Sequence, residues 1–211
     1  MNELQFVLPE EIEKQSFEII SEELKERNIL LKKDQEMVIK RVIHTSADFE
    51  YADTMAFSED AVNKAKELIR NGAHIVTDTN MALAGINKKI LGGFGGEAHC
   101  FMAWERTAKL AKESNTTRAA VSMELAGEIG KPLIFAVGNA PTALVRLYEM
   151  IEAKVLIPEF IIGVPVGFVN VVAAKELIMR TKVPYIVNRG RKGGSNVAAA
   201  ICNAILYELG R

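Results

Sequence analysis

From Gly72 onward the chain repeats one pattern, a short β-branched, apolar run followed by an amphipathic stretch of helical period. The runs are AHIVTD (73–78), AHCFM (98–102), PLIFAVG (132–138), EFIIGV (159–164) and PYIVN (184–188). Between and after them, helices are predicted over 103–113, 117–129, 142–153, 170–181 and 195–209. Strands this short and apolar present no polar face to water, so both sides of their sheet must be covered. The pattern therefore predicts an α/β fold, a three-layer α/β/α sandwich around a mostly parallel sheet. Upstream, the chain reads as helices and loops. One helix runs from Pro9 or Glu10 to Arg27, a second over DQEMVIKRVIHTS behind an Asp34 cap, and a third from Ser58 to Asn71 behind a Ser58 cap. No Pro/Gly/Ser-rich linker or repeat interrupts the sequence. One domain over 1–211 is expected, with a helical part over about 1–71 and an alternating part over about 72–211.

Composition narrows the partners. The 26 basic and 27 acidic residues leave a formal charge of −1, with no overall attraction to nucleic acid or an anionic membrane. Cys100 and Cys202 form no C-x-x-C pair and read as small buried hydrophobes. No apolar run approaches the roughly 18 residues of a membrane span. The segment MNELQFVLPEEIEK lacks the layout of a signal peptide. A soluble, cytoplasmic protein with neither nucleic-acid nor membrane partners is expected.

In open α/β sheets ligands bind beyond the carboxyl ends of the strands. Here those positions read Thr79-Asn80-Met81, Gly138-Asn139-Ala140-Pro141-Thr142, Gly163-Val164-Pro165-Val166-Gly167, and Asn188 to Asn196. Glycine permits close backbone approach, and free N–H groups at helix starts attract negative charge. Arg189, Arg191 and Lys192 add cations just before Gly193, Gly194 and the expected Ser195 cap. The combination points to an anionic ligand, although a solvated basic turn would have the same composition. GRKGGSN is not a Walker loop. GFGGEA (93–98) matches G-x-G-x-x-[G/A] but precedes a strand, so it reads as a flexible connector or active-site flap. His44, His74 and His99 lack metal-ligand spacing, so no protein-held metal is expected. His44 ends the second helix, with Arg41 on the same face and Asp48 just beyond. The partial negative charge of a helix C-terminus suits an imidazolium there, which makes His44 a candidate general acid. A helix-capping histidine would occupy the same position.

Several long segments together resemble the precorrin-8X (cobalt-precorrin-8) methylmutase family. They are RVIHTSADFEYADTMAFSEDAV (41–62), GAHIVTDTNMALAGI (72–86), AVGNAPTAL (136–144), GVPVGFVNVV (163–172) and GRKGGSNVAAAICNA (190–204). The resemblance implies an α/β/α homodimer that moves a methyl group from carbon 11 to carbon 12 of a tetrapyrrole. The product would be hydrogenobyrinate or cobyrinate, and no cofactor is needed because any cobalt travels with the substrate. It places the family's active-site histidine on His44, in RVIHTSAD, as proton donor and acceptor. It also implies a substrate-binding set of Ser16, Arg41, Thr45, Thr79, Arg118, Asn139, Arg189, Arg191, Lys192, Gly193 and Ser195. Two other functions compete with catalysis: a corrinoid carrier without turnover, and a nucleotide-dependent α/β enzyme.

Overall fold

The structure, a computed structural model, describes residues 8–210. A helical opening section comprises α1 (Pro9–Glu26), α2 (Glu36–Ser46), α3 (Tyr51–Thr54) and α4 (Ala61–Arg70), with a short strand β1 (Met55–Phe57) before α4. Then come β2 (His74–Thr77), α5 (Asn80–Gly85), α6 (Lys88–Gly93), β3 (Ala98–His99), α7 (Glu105–Glu113) and α8 (Arg118–Ala126). The chain closes with β4 (Leu133–Val137), α9 (Pro141–Glu152), β5 (Phe160–Gly163), α10 (Val171–Met179), β6 (Tyr185–Asn188) and α11 (Ser195–Gly210).

The strands form one sheet in the order β1-β6-β5-β4-β2-β3. All neighbours are parallel except β1, which runs antiparallel to β6 with Met55 opposite Asn188. Successive residues of β4 feed opposite cores, as strand alternation requires. Ile134 and Ala136 join α1, α2, α4, α5 and α11 on one face. Leu133, Phe135 and Val137 join α7 to α10 on the other. The three-layer α/β/α expectation is met, and burying both faces explains why the strands carry no polar alternation.

Four local expectations are corrected. Asp34 does not cap α2. That helix starts after Gln35 without a side-chain cap, and Asp34 lies in the preceding turn. Ser58 does not cap α4 either. Its Oγ accepts from Tyr185 N at 2.9 Å and its N–H donates to Tyr185 O at 3.0 Å, extending the β1–β6 ladder. The serine was needed by the sheet, and α4 starts three residues later behind Asp60. The third correction is β1 itself, because Met-Ala-Phe has too little β-branching to stand out in a helical region. Fourth, GFGGEA is no active-site flap. Gly95 and Gly96 donate back to Gly92 O and Leu91 O, and Glu97 O accepts from Ile75 N at 2.8 Å. The segment is thereby strapped to the start of β2, away from the carboxyl ends of the strands.

Candidate active site

His44 sits in the last turn of α2, exposed, with its ring against Phe17 of α1 at 5.5 Å between centroids. The helix stops because Ala47 turns left-handed (φ 53°), and its N–H closes the last turn on Ile43 O at 2.7 Å. Arg41, one turn earlier, is buried rather than poised for a ligand. Its guanidinium pairs with Glu13 and lies 4.7 Å from the Phe17 ring centre and 5.0 Å from that of Tyr207. Among the described residues its Nε has no hydrogen-bond partner. Arg41 thus fixes the aromatic ring on which His44 rests. Ser16, the neighbour of Phe17, returns its hydroxyl to Ile12 O at 2.8 Å, and Thr45 is exposed beside His44. An open cleft of about 660 Å³ runs between α1 and α2 past Phe17, Met37 and Arg41.

The basic loop is tied to the segment that leaves His44. Lys192 pairs with Asp48 and Glu50, the latter at 2.8 Å. Lys192's hydrogen bond holds the Asp48 carboxyl below its ordinary value, and the two acids raise the Lys192 ammonium. Lys192 is therefore a clamp already engaged. Arg189 and Arg191 remain exposed, with Arg191 5.3 Å from the ring centre of Phe168. Behind the loop, Lys175 of α10 is fully buried and donates to Gly190 O at 2.9 Å and Lys192 O at 2.8 Å. Burial pulls its ammonium down to about 8. Gly193 is required by contact, because a Cβ there would lie 2.1 Å from Val164 O.

The other expected residues gather at the carboxyl ends of the central strands. Thr79 caps α5 by accepting from Ala82 N at 3.1 Å, and its hydroxyl meets that of Ser195 at 2.7 Å. Two expected substrate-binding hydroxyls thus contact each other at the start of α11. Asn139 presents an exposed side chain, but its backbone N–H is already used. The N–H groups of Gly138, Asn139 and Ala140 donate to Asp78 at 2.8, 2.8 and 2.6 Å. Burial raises the Asp78 carboxyl, while these three donors oppose that shift. Gly138 in turn lies against Gly194 and Ser195, where a Cβ would come within 2.7 Å. Arg118 is exposed at the start of α8, which is joined to the start of α9 by a 2.9 Å contact between Thr117 and Thr142. Met81, Val166, Phe168 and Val169 add exposed apolar surface on the segments just past β2 and β5.

Asp78, Lys175 and Phe17 were not singled out from the sequence. Each has a local signal: an acid at a strand end, a lysine inside the apolar run VVAAKELIM, and an aromatic on a helix facing another helix. The sequence separation of 25 residues also hid a histidine pair. His74 Nδ1 lies 2.8 Å from His99 Nε2.

This architecture and loop arrangement have close counterparts. The precorrin-8X methylmutase (CbiC) family model matches residues 11–208. A cobalt-precorrin-8 methylmutase of Salmonella typhimurium is 43% identical over 205 residues, covering 95% of this chain and 96% of the relative. One from Priestia megaterium is 42% identical over 199 residues, covering 94% and 88%. The crystal structure of precorrin-8x methyl mutase from Thermus thermophilus superposes with a TM-score of 0.83 at 36% identity, covering 93% and 96%. Among the described residues, no helix is long and apolar enough to cross a membrane. With its sheet order, its exposed helix-end histidine and these near full-length matches together, the chain belongs to the precorrin-8X methylmutase family.

Proposed function

We propose that this protein isomerises precorrin-8X or cobalt-precorrin-8 by moving a methyl group from ring carbon 11 to carbon 12, with His44 supplying and recovering the proton. The observation that carries the role of His44 is its placement: an exposed imidazole, backed by Phe17, at the end of the helix that Lys192 links to the basic loop. Backing by an aromatic ring fixes the imidazole plane while leaving its edge open to a ligand, the positioning a proton transfer needs.

Protonation at the ring C nitrogen withdraws electron density from carbon 12. The methyl group then passes from carbon 11 with its bonding pair, and the proton returns to His44. Atoms and electrons balance without an oxidant or reductant, so the reaction requires no resident cofactor, and any cobalt belongs to the substrate. Arg189 and Arg191, with Arg118, suit the acetate and propionate carboxylates at the ring's rim, because charged hydrogen bonds are stronger than neutral ones. Lys192 and Lys175 act one step back by holding the loop. The exposed apolar side chains Met81, Val166, Phe168 and Val169 suit the ring's faces.

The protein works in the cytoplasm as a homodimer. Ile12 and Ile19, two turns apart on α1 and about half exposed, provide an apolar stripe outside the strand ends for such a contact. Light scattering that finds a monomer at assay concentration removes the dimer.

The decisive experiment incubates wild type and His44→Ala with each precursor, following absorbance and mass. Wild type changes the spectrum at constant mass. The variant keeps its fold, since His44 is exposed, and loses roughly 10²–10⁴-fold in rate. Near-normal turnover by folded His44→Ala refutes the assignment. Binding without any spectral change by wild type would instead favour a carrier.

A further inference from the structure

We propose that His74, Glu97 and His99 form a binding site for a divalent first-row transition-metal ion, such as Zn²⁺ or Co²⁺, separate from the catalytic surface. Among the described residues, one ligating atom from each of these three side chains lies within 4.8 Å of the others. His74 Nδ1 and His99 Nε2 are 2.8 Å apart, and Glu97 Oε2 is 3.9 Å from His99 Nε2. The two imidazole planes lie at 5° to each other with ring centres 5.1 Å apart, and His74 Nδ1 faces His99 Nε2 directly.

The sheet creates this convergence. His74 is paired with Leu133, and His99 with Val76, and both partners belong to the core beneath α7 to α10. The two histidines therefore project from the same face of adjacent parallel strands, two residues apart in register. The α2 helix that carries His44 packs on the opposite face. Among the described residues β3 is the edge strand, paired with β2. The histidines are thus held by backbone on one side, while the Glu97 side chain, 72% exposed, leaves a route for an ion on the other.

The donor set selects the ion class. Two imidazoles and one carboxylate suit Zn²⁺, Co²⁺, Ni²⁺ or Cu²⁺, whereas Ca²⁺ and Mg²⁺ prefer oxygen ligands. Bonds of about 2.0–2.1 Å in a tetrahedral arrangement separate ligand atoms by roughly 3.3 Å. The two nitrogens must open by about half an ångström and turn towards the ion, and the glutamate must close on His99 Nε2 by a similar distance. The proton now held between the rings moves to the far nitrogen of its own imidazole, so both rings present lone pairs while remaining neutral. Solvent fills the fourth position. The bound ion would pin a two-residue edge strand to the body of the sheet.

The test uses the full chain without an oligohistidine tag, washed free of metal and titrated separately with Zn²⁺ and Co²⁺ chlorides. Metal content is measured after equilibrium dialysis, alongside the visible absorption of Co²⁺ and the thermal midpoint. One equivalent is expected to bind, with a raised midpoint and an imidazole-type Co²⁺ spectrum. Glu97→Gln, at an exposed position that does not disturb folding, should weaken binding by roughly tenfold or more, and His99→Gln further. Failure of both ions to bind wild type overturns the proposal. Unchanged affinity in either variant overturns it as well, because the ion would then sit elsewhere and the histidine pair would be only a hydrogen-bonded latch.

Discussion

Replacing Lys175 by Met removes the ammonium that joins α10 to the carbonyls of Gly190 and Lys192, while keeping an unbranched side chain of similar length. In the wild type, burial lowers this group from its ordinary 10.5 to about 8. Between those pH values the unfolded chain holds a proton that the folded chain has released. Stability then rises with pH, at about 1.4 kcal/mol per pH unit for this one group. The whole window carries at most about 3 kcal/mol. The two carbonyl contacts favour the ammonium and oppose the effect of burial, which leaves ~1–2 kcal/mol. Methionine has no proton to lose. Wild-type stability minus variant stability should therefore be flat below about pH 8 and widen by that amount towards 10.5. Urea unfolding of both proteins across this range measures the difference directly, and groups that titrate alike in both cancel. In a chain of this size the same change corresponds to roughly 2–8 °C in Tm. Parallel stability curves from neutral pH upward would refute a lowered Lys175. A gap that narrows with pH would show that the carbonyls outweigh burial and reverse the sign.

Three further outcomes follow from the same geometry. Arg191→Ala should weaken corrinoid binding by roughly two- to fivefold at low salt and make the remaining affinity less salt-sensitive, because an exposed ion pair contributes little more; titrations at two ionic strengths check this. Gly193→Ala should cost at least about 2 kcal/mol, since its Cβ would meet Val164 O at 2.1 Å and the backbone must yield, a loss visible in thermal unfolding. Thr79→Val should cost about 1 kcal/mol through loss of the α5 cap and should leave Ser195 without its hydroxyl partner, which a lowered Tm and weaker ligand binding would register together.

The layers of the fold were legible because burial on both faces leaves a direct trace in runs such as PLIFAVG, whose alternate residues feed opposite cores. β1 left no such trace. Three residues without β-branching become a strand only because β6 offers them an edge, and Ser58, which looked like a cap, is used by the same ladder. The site was legible as a set of loops and illegible as a network. Arg41, Lys192 and Asn139 all look available in sequence. Whether a cation is free depends on Glu13, Asp48 and Glu50, and whether an amide is free depends on Asp78, partners that spacing does not reveal. His74 and His99 follow the same logic, since only the register of β2 against β3 brings them together.

The contact between Asp78 and the 138–140 backbone has a consequence for selectivity. Three consecutive amides at the carboxyl end of a central strand form the kind of concavity that takes phosphate in other open sheets. Here the tenant is a side chain of the same molecule, tethered from the neighbouring strand, so it competes with any dissolved anion at an effective concentration of at least about millimolar. A phosphate group would have to displace the Asp78 carboxylate to reach these amides. The turn after β4 thus has its three amides satisfied from within the chain, while Arg189 and Arg191 stay exposed at the neighbouring loop.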